Sequence, residues 1–348
     1  MKIRNKLKDY FVQGSYSFMK PEIIAESDRS FPLMLNIEPT LACNLSCYMC
    51  PAHNEESRDA NMRKAGMMSW ELYTKIIDEC AAEGPIKVLN MHKDGESLLH
   101  PRFVDMLVYA REKKAAEIIH FNTNLTFKDQ SIIDRIYDSG VDDITLSVDA
   151  VTAEGFIKVK GKDMYDRVVS NVHAFFDKRA KRNLDGPFIR VKMLGTDENS
   201  EELEEFKKIW EDIADEVQVQ KIHNFAGGLT FIRKINPDRY PCAFLFYSTA
   251  INWDGTVSIC HRDFKGEDIM GDVNENTLKE VYTNEKYQAY LQHHIKGCAD
   301  NIPLCRSCDN WEDGPNYGVA ETTRLAQLPS KKRSDAREDS AAALGKSA

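Results

Sequence analysis

The chain has 348 residues, 42% apolar and 29% charged, which fits one large globular domain or two moderate ones with a substantial core. Its formal charge of −9 excludes a sequence-independent grip on nucleic-acid phosphates, and no apolar run approaches a membrane span, so neither nucleic acid nor membrane is an expected partner. The first residues, Met1-Lys-Ile-Arg-Asn-Lys6, lack a hydrophobic export core; the protein is expected in the cytoplasm, where nine cysteines point to metal or redox chemistry rather than disulfides.

Residues 1–32 read as a basic helix and a loop, with Tyr10, Phe11 and Phe18 available for packing. From residue 33 onward, β-rich runs alternate with segments whose apolar residues recur at helical spacing. Strands are expected over 33–40, 86–91, 117–123, 143–149, 188–194 and 216–223, and helices over 70–80, 103–115, 132–137, 165–176 and 203–214. Six βα units in sequence predict a parallel sheet with right-handed crossovers. Six is short of a closed eight-strand barrel, so the expected class is α/β, a partial (β/α)6 TIM-like barrel over residues 33–223. Chemistry in such sheets gathers at the C-terminal strand ends.

The first strand runs into Cys43-Asn-Leu-Ser-Cys47-Tyr-Met-Cys50. Three thiols spaced CxxxCxxC can turn toward a common point and hold three irons of a [4Fe–4S] cube, leaving the fourth iron open as a binding site. Zinc prefers paired CxxC units and four closed ligands, and a disulfide knot suits small secreted chains; neither matches this loop. The motif resembles the cluster-binding signature of the radical S-adenosyl-L-methionine (SAM) enzymes, in which the open iron chelates the amino and carboxylate groups of the cofactor's methionine. An aromatic residue usually precedes the third cysteine in that family; here Met49 does, with Tyr48 one place earlier.

The resemblance implies roles for the other strand ends. Strand two ends in Lys93-Asp94-Gly95-Glu96, where the family usually has Gly-Gly-Glu, a motif that accepts a hydrogen bond from the methionine ammonium; Asp94 replaces the first glycine. Strand three ends in Asn122-Thr-Asn124 and strand four in Ser147-Val-Asp149, positions that meet the cofactor's ribose and carboxylate in the family. Asn124, Ser147 and Asp149 are therefore candidate cofactor contacts, although short polar residues at strand ends also form turns and helix caps. Lys158, Lys160 and Arg190 are candidates for an anion, each with a solvated basic face as the plainer reading.

After residue 223 the alternation stops. Asn252-Trp-Asp-Gly255-Thr-Val-Ser-Ile-Cys260 reads as a hairpin turning at Asp254-Gly255, followed by an amphipathic helix over 277–295 and by Cys305-Arg-Ser-Cys308. Cys242, Cys260, Cys305 and Cys308 can close a second [4Fe–4S] cluster with no open iron, or on spacing alone a zinc ribbon. The stretch resembles the SPASM auxiliary-cluster domain or its shortened twitch form, which makes 224–315 a small C-terminal iron–sulfur module with one auxiliary cluster. Cys80 falls among apolar neighbours as a core residue, whereas Cys298 is an inert loop thiol, an alternative ligand, or a hydrogen-atom donor to a substrate radical. Residues 316–348 are expected to form a disordered tail.

The resemblance implies reductive cleavage of SAM to a 5′-deoxyadenosyl radical that takes hydrogen from substrate, with an electron supplied by a flavodoxin- or ferredoxin-type donor. An auxiliary cluster with all irons ligated suits electron removal from the substrate, as in twitch-bearing aminocyclitol dehydrogenases, so the expected reaction is oxidation of a small polar, sugar- or aminocyclitol-like molecule. Modification of a ribosomally made peptide, epimerisation with Cys298 as hydrogen donor, and a non-enzymatic iron–sulfur carrier are the alternatives.

Overall fold

The computed structural model describes residues 11–12, 15–16, 30–54, 62–195, 197–229 and 239–313. Six parallel strands follow one another in chain order: β1 Met34–Ile37, β2 Ile86–Asn90, β3 Ala116–Thr123, β4 Asp143–Ser147, β5 Phe188–Gly195 and β6 Glu216–Lys221. Each pairs with the next. The crossovers carry α1 Trp70–Glu83, α2 Phe103–Glu112, α3 Ile132–Asp138, α4 Ala153–Lys160, α5 Tyr165–Lys181 and α6 Leu203–Trp210. The partial (β/α)6 barrel is the fold of the chain.

Helix α4 is the one crossover helix not expected from the pattern. It is eight residues long and holds Gly155, so its periodic signal is weak; the Thr152 side chain starts it by accepting from Gly155 N.

The strands present two faces. In a parallel pair, register partners point to the same side. One face carries Leu35, Leu89, Ile119, Ile144 and Ile189, all with no exposure, and the ring of Phe121 on that face meets Phe103 of α2 at 5.1 Å. The other face is polar: Asn36, Asn90, His120, Asp143 and Arg190 leave the sheet on that side and bond to one another or to neighbouring strands.

The C-terminal segment continues this sheet. Helix α7 Phe244–Tyr247 leads into β7 Ser248–Ile251, which lies parallel to β1, with Met34 opposite Ser248. Strands β8 Thr256–Ser258 and β9 Ile269–Asp272 add antiparallel, giving the nine-stranded order β9-β8-β7-β1-β2-β3-β4-β5-β6. The expected turn is present at Gly255, whose φ of +95° and 2.1 Å clearance between a Cβ and Asn274 Nδ2 require glycine.

The helix expected over 277–295 is two helices, α8 Leu278–Thr283 and α9 Glu285–Ile295. Asn284 between them is extended; its Oδ1 accepts from Tyr287 N and its Nδ2 donates to Met270 O at 2.7 Å, so it ends one helix and caps the next. A short α10, Pro303–Arg306, carries the last cysteine pair. Where the basic N-terminal helix was expected, Phe11–Val12 pairs antiparallel with Ser15–Tyr16. The packing expected of Tyr10 and Phe18 and the expected tail lie outside the described residues.

Candidate active site between two thiol sets

The loop after β1 is pinned on both flanks. Ser46 N and Tyr48 N donate to the carbonyls of Lys160 and Val159, both at 3.2 Å, at the end of α4. On the other flank Asn124 Nδ2 donates to Asn44 Oδ1 at 3.0 Å and lies 3.9 Å from Cys43 Sγ. Cys50 N donates to Cys47 O at 2.9 Å, which folds the last two cysteines into one turn. The three half-buried thiols are close enough to affect each other's ionisation. Burial, then Glu96 and Cys47, push the Cys43 thiol up to about 11, and burial and the other two thiols push Cys50 higher. A metal bound at this loop would displace the thiol protons, because the thiolate is the ligating form.

The turn after β2 is packed against this loop. Glu96 N donates to Ala42 O, and a Cβ on Gly95 would stand 2.1 Å from Thr40 O, so only glycine allows the approach. The buried Glu96 carboxylate accepts from Thr123 Oγ1 at 2.9 Å, Asn124 N at 2.7 Å and Leu98 N at 3.3 Å. Burial raises its pKa and these donors oppose the rise. Asn124 spends its side chain on Asn44 and Thr126. Ser147 stands half-buried at the end of β4. Asp149 follows in a left-handed conformation, φ +65°, and pairs with Lys160. Burial opposes its charge, but Lys160 and Lys192 hold its carboxyl below the usual range.

Two of the basic residues correct their plainer reading. Lys160 is buried, with burial opposing its charge and Asp149 and Cys47 favouring it, so a cation stands against the cysteine loop. Arg190 is buried as well, donating to both Asp143 oxygens at 2.6 Å and to Glu216 at 2.7 Å. Lys158 is exposed and pairs with Glu154 along α4.

The second thiol set gathers Cys242 before α7, Cys260 after β8, and Cys305 and Cys308 around α10. The first three are buried and Cys308 is half-buried. Burial and then Cys260 and Cys308 push Cys242 upward; burial, and then Cys308, push Cys260 up to about 12. Among the described residues no group of three or more His, Cys, Asp or Glu is arranged to hold a single metal ion. Cys298 is not brought to either set: its thiol is exposed in the turn after α9 and lies 3.6 Å from Lys296 O. Cys80 is in the core.

Between the thiol sets lies the polar sheet face, which sequence reasoning missed. Asn122 Nδ2 donates to His92 Nε2 at 3.0 Å, His120 Nε2 donates to Asn122 Oδ1 at 2.8 Å, and His120 Nδ1 stands 3.0 Å from Asp143. Burial first, then His120, and then the charges of Lys192 of β5 and Arg262 of the auxiliary segment push the His92 imidazole well below its ordinary pKa. The available signal was the period-two polar alternation, as in Asp143-Ile-Thr-Leu-Ser147 and Arg190-Val-Lys192. A parallel sheet covered on both faces reads instead as continuous apolar runs. No helix among the described residues is long and apolar enough to cross a membrane.

Residues 37–209 match the model of the radical SAM superfamily, and residues 242–309 match SPASM, an iron–sulfur cluster-binding domain. Among curated proteins, the tungsten-containing aldehyde ferredoxin oxidoreductase cofactor-modifying protein of Pyrococcus furiosus is 24% identical over 79% of this chain and 88% of its own length. The S-adenosyl-L-methionine-dependent 2-deoxy-scyllo-inosamine dehydrogenase of Niallia circulans is 21% identical over 80% and 92%. Among solved structures, BtrN in complex with AdoMet and 2-DOIA aligns with a TM-score of 0.56 at 18% identity, covering 80% of this chain and 93% of that one. SuiB of Streptococcus suis bound to precursor peptide SuiA aligns at 0.59 and 15% identity, covering 88% and 79%. With a pinned three-thiol loop at the barrel mouth and four thiols gathered opposite, the chain belongs to the radical SAM superfamily, as an enzyme of two [4Fe–4S] clusters and SAM with a C-terminal SPASM domain.

Proposed function

We propose that the protein oxidises an alcohol carbon of a small polar, sugar- or aminocyclitol-like substrate held between the two thiol sets. In this reading Cys43, Cys47 and Cys50 hold the SAM-binding cluster, and Cys242, Cys260, Cys305 and Cys308 the auxiliary one. Glu96, with Gly95 allowing its approach, serves the methionine ammonium, while Asn124, Ser147 and Asp149 border the rest of the cofactor. Lys160, a buried cation beside Cys43 and Cys47, is positioned for the methionine carboxylate. A flavodoxin or ferredoxin delivers the starting electron.

The observation that carries the reading is the polar face lying between the thiol sets. Going from alcohol to carbonyl, a substrate loses one hydrogen atom, one proton and one electron. When bound, the SAM cluster supplies hydrogen-atom abstraction and the auxiliary cluster accepts the electron. The chain's own task is to orient the substrate with fixed donors and to exclude water. The sequence likeness to a 2-deoxy-scyllo-inosamine dehydrogenase supports oxidation of this substrate class. Epimerisation would need a hydrogen donor in the site, and Cys298 lies exposed in its own turn.

Anaerobic reconstitution with iron and sulfide, reduction, and addition of SAM tests the reading through release of 5′-deoxyadenosine. Formation of that product, with a carbonyl product lacking solvent deuterium when a sugar alcohol is supplied, is the expected result. Failure to form 5′-deoxyadenosine under any reductant overturns it.

A further inference from the structure

We propose that Lys93 and Asp94 are positioning residues that couple the two cluster sites, so that an auxiliary cluster on Cys260 tightens SAM binding beside Glu96. The inference rests on the proposed assignment of the two thiol sets and goes beyond it.

A chain of bonds joins a residue of one thiol set to a residue of the other. His53 N donates to Cys50 O at 3.3 Å, and His53 Nε2 donates to Asp94 O at 2.9 Å. The Asp94 carboxylate pairs with Lys93, whose Nζ donates to Asp263 O at 3.0 Å. Asp263 N in turn donates to Cys260 O at 3.1 Å. Arg63 doubles the connection, holding Asp94 at 3.1 Å and donating to Phe264 O at 3.0 Å.

Both ends of this chain are held. Asp94 directly precedes Gly95 and Glu96, and Glu96 N donates to Ala42 O at 2.9 Å, so the turn after β2 shifts only with the cysteine loop. On the auxiliary side, residues 260–268 form a turn bonded to itself. The two Asp263 oxygens accept from Glu267 N at 3.0 Å and Asp268 N at 3.1 Å, and Arg262 N donates to Cys260 Sγ at 3.4 Å.

The bridging charges are withdrawn from water: the Lys93 and Asp94 side chains are 1% and 8% exposed. A buried pair keeps one geometry, because losing either partner strands the other charge. Glycine, usual in the family at position 94, has no carboxylate to offer Lys93 or Arg63, so the bridge belongs to this chain's own sequence.

A cluster closed on Cys242, Cys260, Cys305 and Cys308 fixes the first residue of the 260–268 turn. Order already supplied at one site need not be supplied again on binding at the other, which is positive cooperativity. Linkage makes the effect reciprocal, so SAM in turn steadies the auxiliary segment.

The test is anaerobic calorimetry of SAM binding to the oxidised protein, in which no turnover occurs. Cys305→Ala, with the first cluster alone, should bind SAM roughly five-fold or more weakly than the two-cluster protein, the lower end of allosteric coupling. Lys93→Met with both clusters should lose a similar factor, and the double variant little more, because both changes cut one connection. Lys93→Arg, which keeps the charge and a donor, should retain most of the affinity. Unchanged SAM affinity in Cys305→Ala or in Lys93→Met, or fully additive losses in the double variant, as a merely structural Lys93 would give, would each overturn the proposal. If a variant fails to hold its first cluster, hydrogen exchange in the wild-type protein decides. Saturating SAM should slow exchange of the Glu267 and Asp268 amides that donate to Asp263, and an unchanged rate overturns the coupling. Calorimetry reads binding without turnover, so its failure is distinct from a failure to form 5′-deoxyadenosine, and the iron content of Cys305→Ala checks the thiol assignment separately.

Discussion

Arg63 presents two nitrogens to the Glu38 carboxylate, at 2.7 and 2.9 Å, and Glu38 has no exposure to solvent. The same guanidinium reaches Asp94 at 3.1 Å and donates from Nε to Phe264 O at 3.0 Å. One side chain thus ties the end of β1, the turn after β2 and the auxiliary segment. It also accounts for the aspartate at a position where the family usually has glycine: Asp94 binds Arg63 and Lys93, and Lys93 in turn donates to Asp263 O at 3.0 Å. Removing one partner of a buried pair strands the other charge. Arg63→Met is expected to cost about 3–5 kcal/mol in anaerobic denaturant unfolding of the reconstituted protein. A loss below about 1 kcal/mol, the range of exposed pairs, would mean that Glu38 is not a buried charge.

Gly95 sits where the two site loops touch. A methyl there would face the Thr40 and Ala42 carbonyls at 2.1 and 2.8 Å, and backbone cannot move aside as a flexible side chain can. Gly95→Ala is expected to separate the turn after β2 from the cysteine loop and to lower incorporation of the first cluster while sparing the auxiliary one. Iron content and the spectrum of the reduced protein read this out. Full incorporation of both clusters in Gly95→Ala would show that the contact is not needed.

The parts of this arrangement that were legible beforehand are those with local signatures. The six strands, the cysteine loop and the Asp254-Gly255 turn announce themselves within ten residues or so. Helix α4 did not, because Gly155 and its short length blur the period, and the break at Asn284 did not, because the apolar repeat runs through it. Lys160 and Arg190 read as surface charges until the fold supplied Asp149 and Asp143, partners that the sheet brings beside them. Arg63 lies 25 residues from Glu38 and 201 from Phe264, so nothing local marks it. His92 and Lys192 were readable only as polar residues alternating within parallel strands.

The two thiol sets are expected to separate functionally. Cys50→Ala should halve the iron per chain and abolish 5′-deoxyadenosine formation. Cys305→Ala should also halve the iron yet still cleave SAM, because its thiol belongs to the group with Cys242, Cys260 and Cys308. Metal analysis and product chromatography check both. Zinc in place of iron in the second set, or SAM cleavage surviving in Cys50→Ala, would contradict the assignment.

His100 is expected to make stability depend on pH in a defined direction. Its Nε2 lies 3.0 Å from Met68 O and therefore donates, while Nδ1 accepts from Arg102 N at 3.1 Å. Protonating Nδ1 would set a donor against a donor. Burial first, and then the charge of Arg102, hold the imidazole pKa below its ordinary 6.5, with the bond to Met68 opposing them. The unfolded chain then binds more protons than the fold at pH below about 6.5, so stability present above that value is lost as the pH falls. The slope from this one group cannot exceed roughly 1.4 kcal/mol per pH unit. His100→Asn, whose side-chain oxygen can take the Nδ1 role without titrating, should flatten the decline in the window that opens below about pH 6.5, as the direction of the shift requires. Denaturant midpoints measured across that window under anaerobic conditions check the expectation, and an unchanged slope in His100→Asn would assign the dependence to another group.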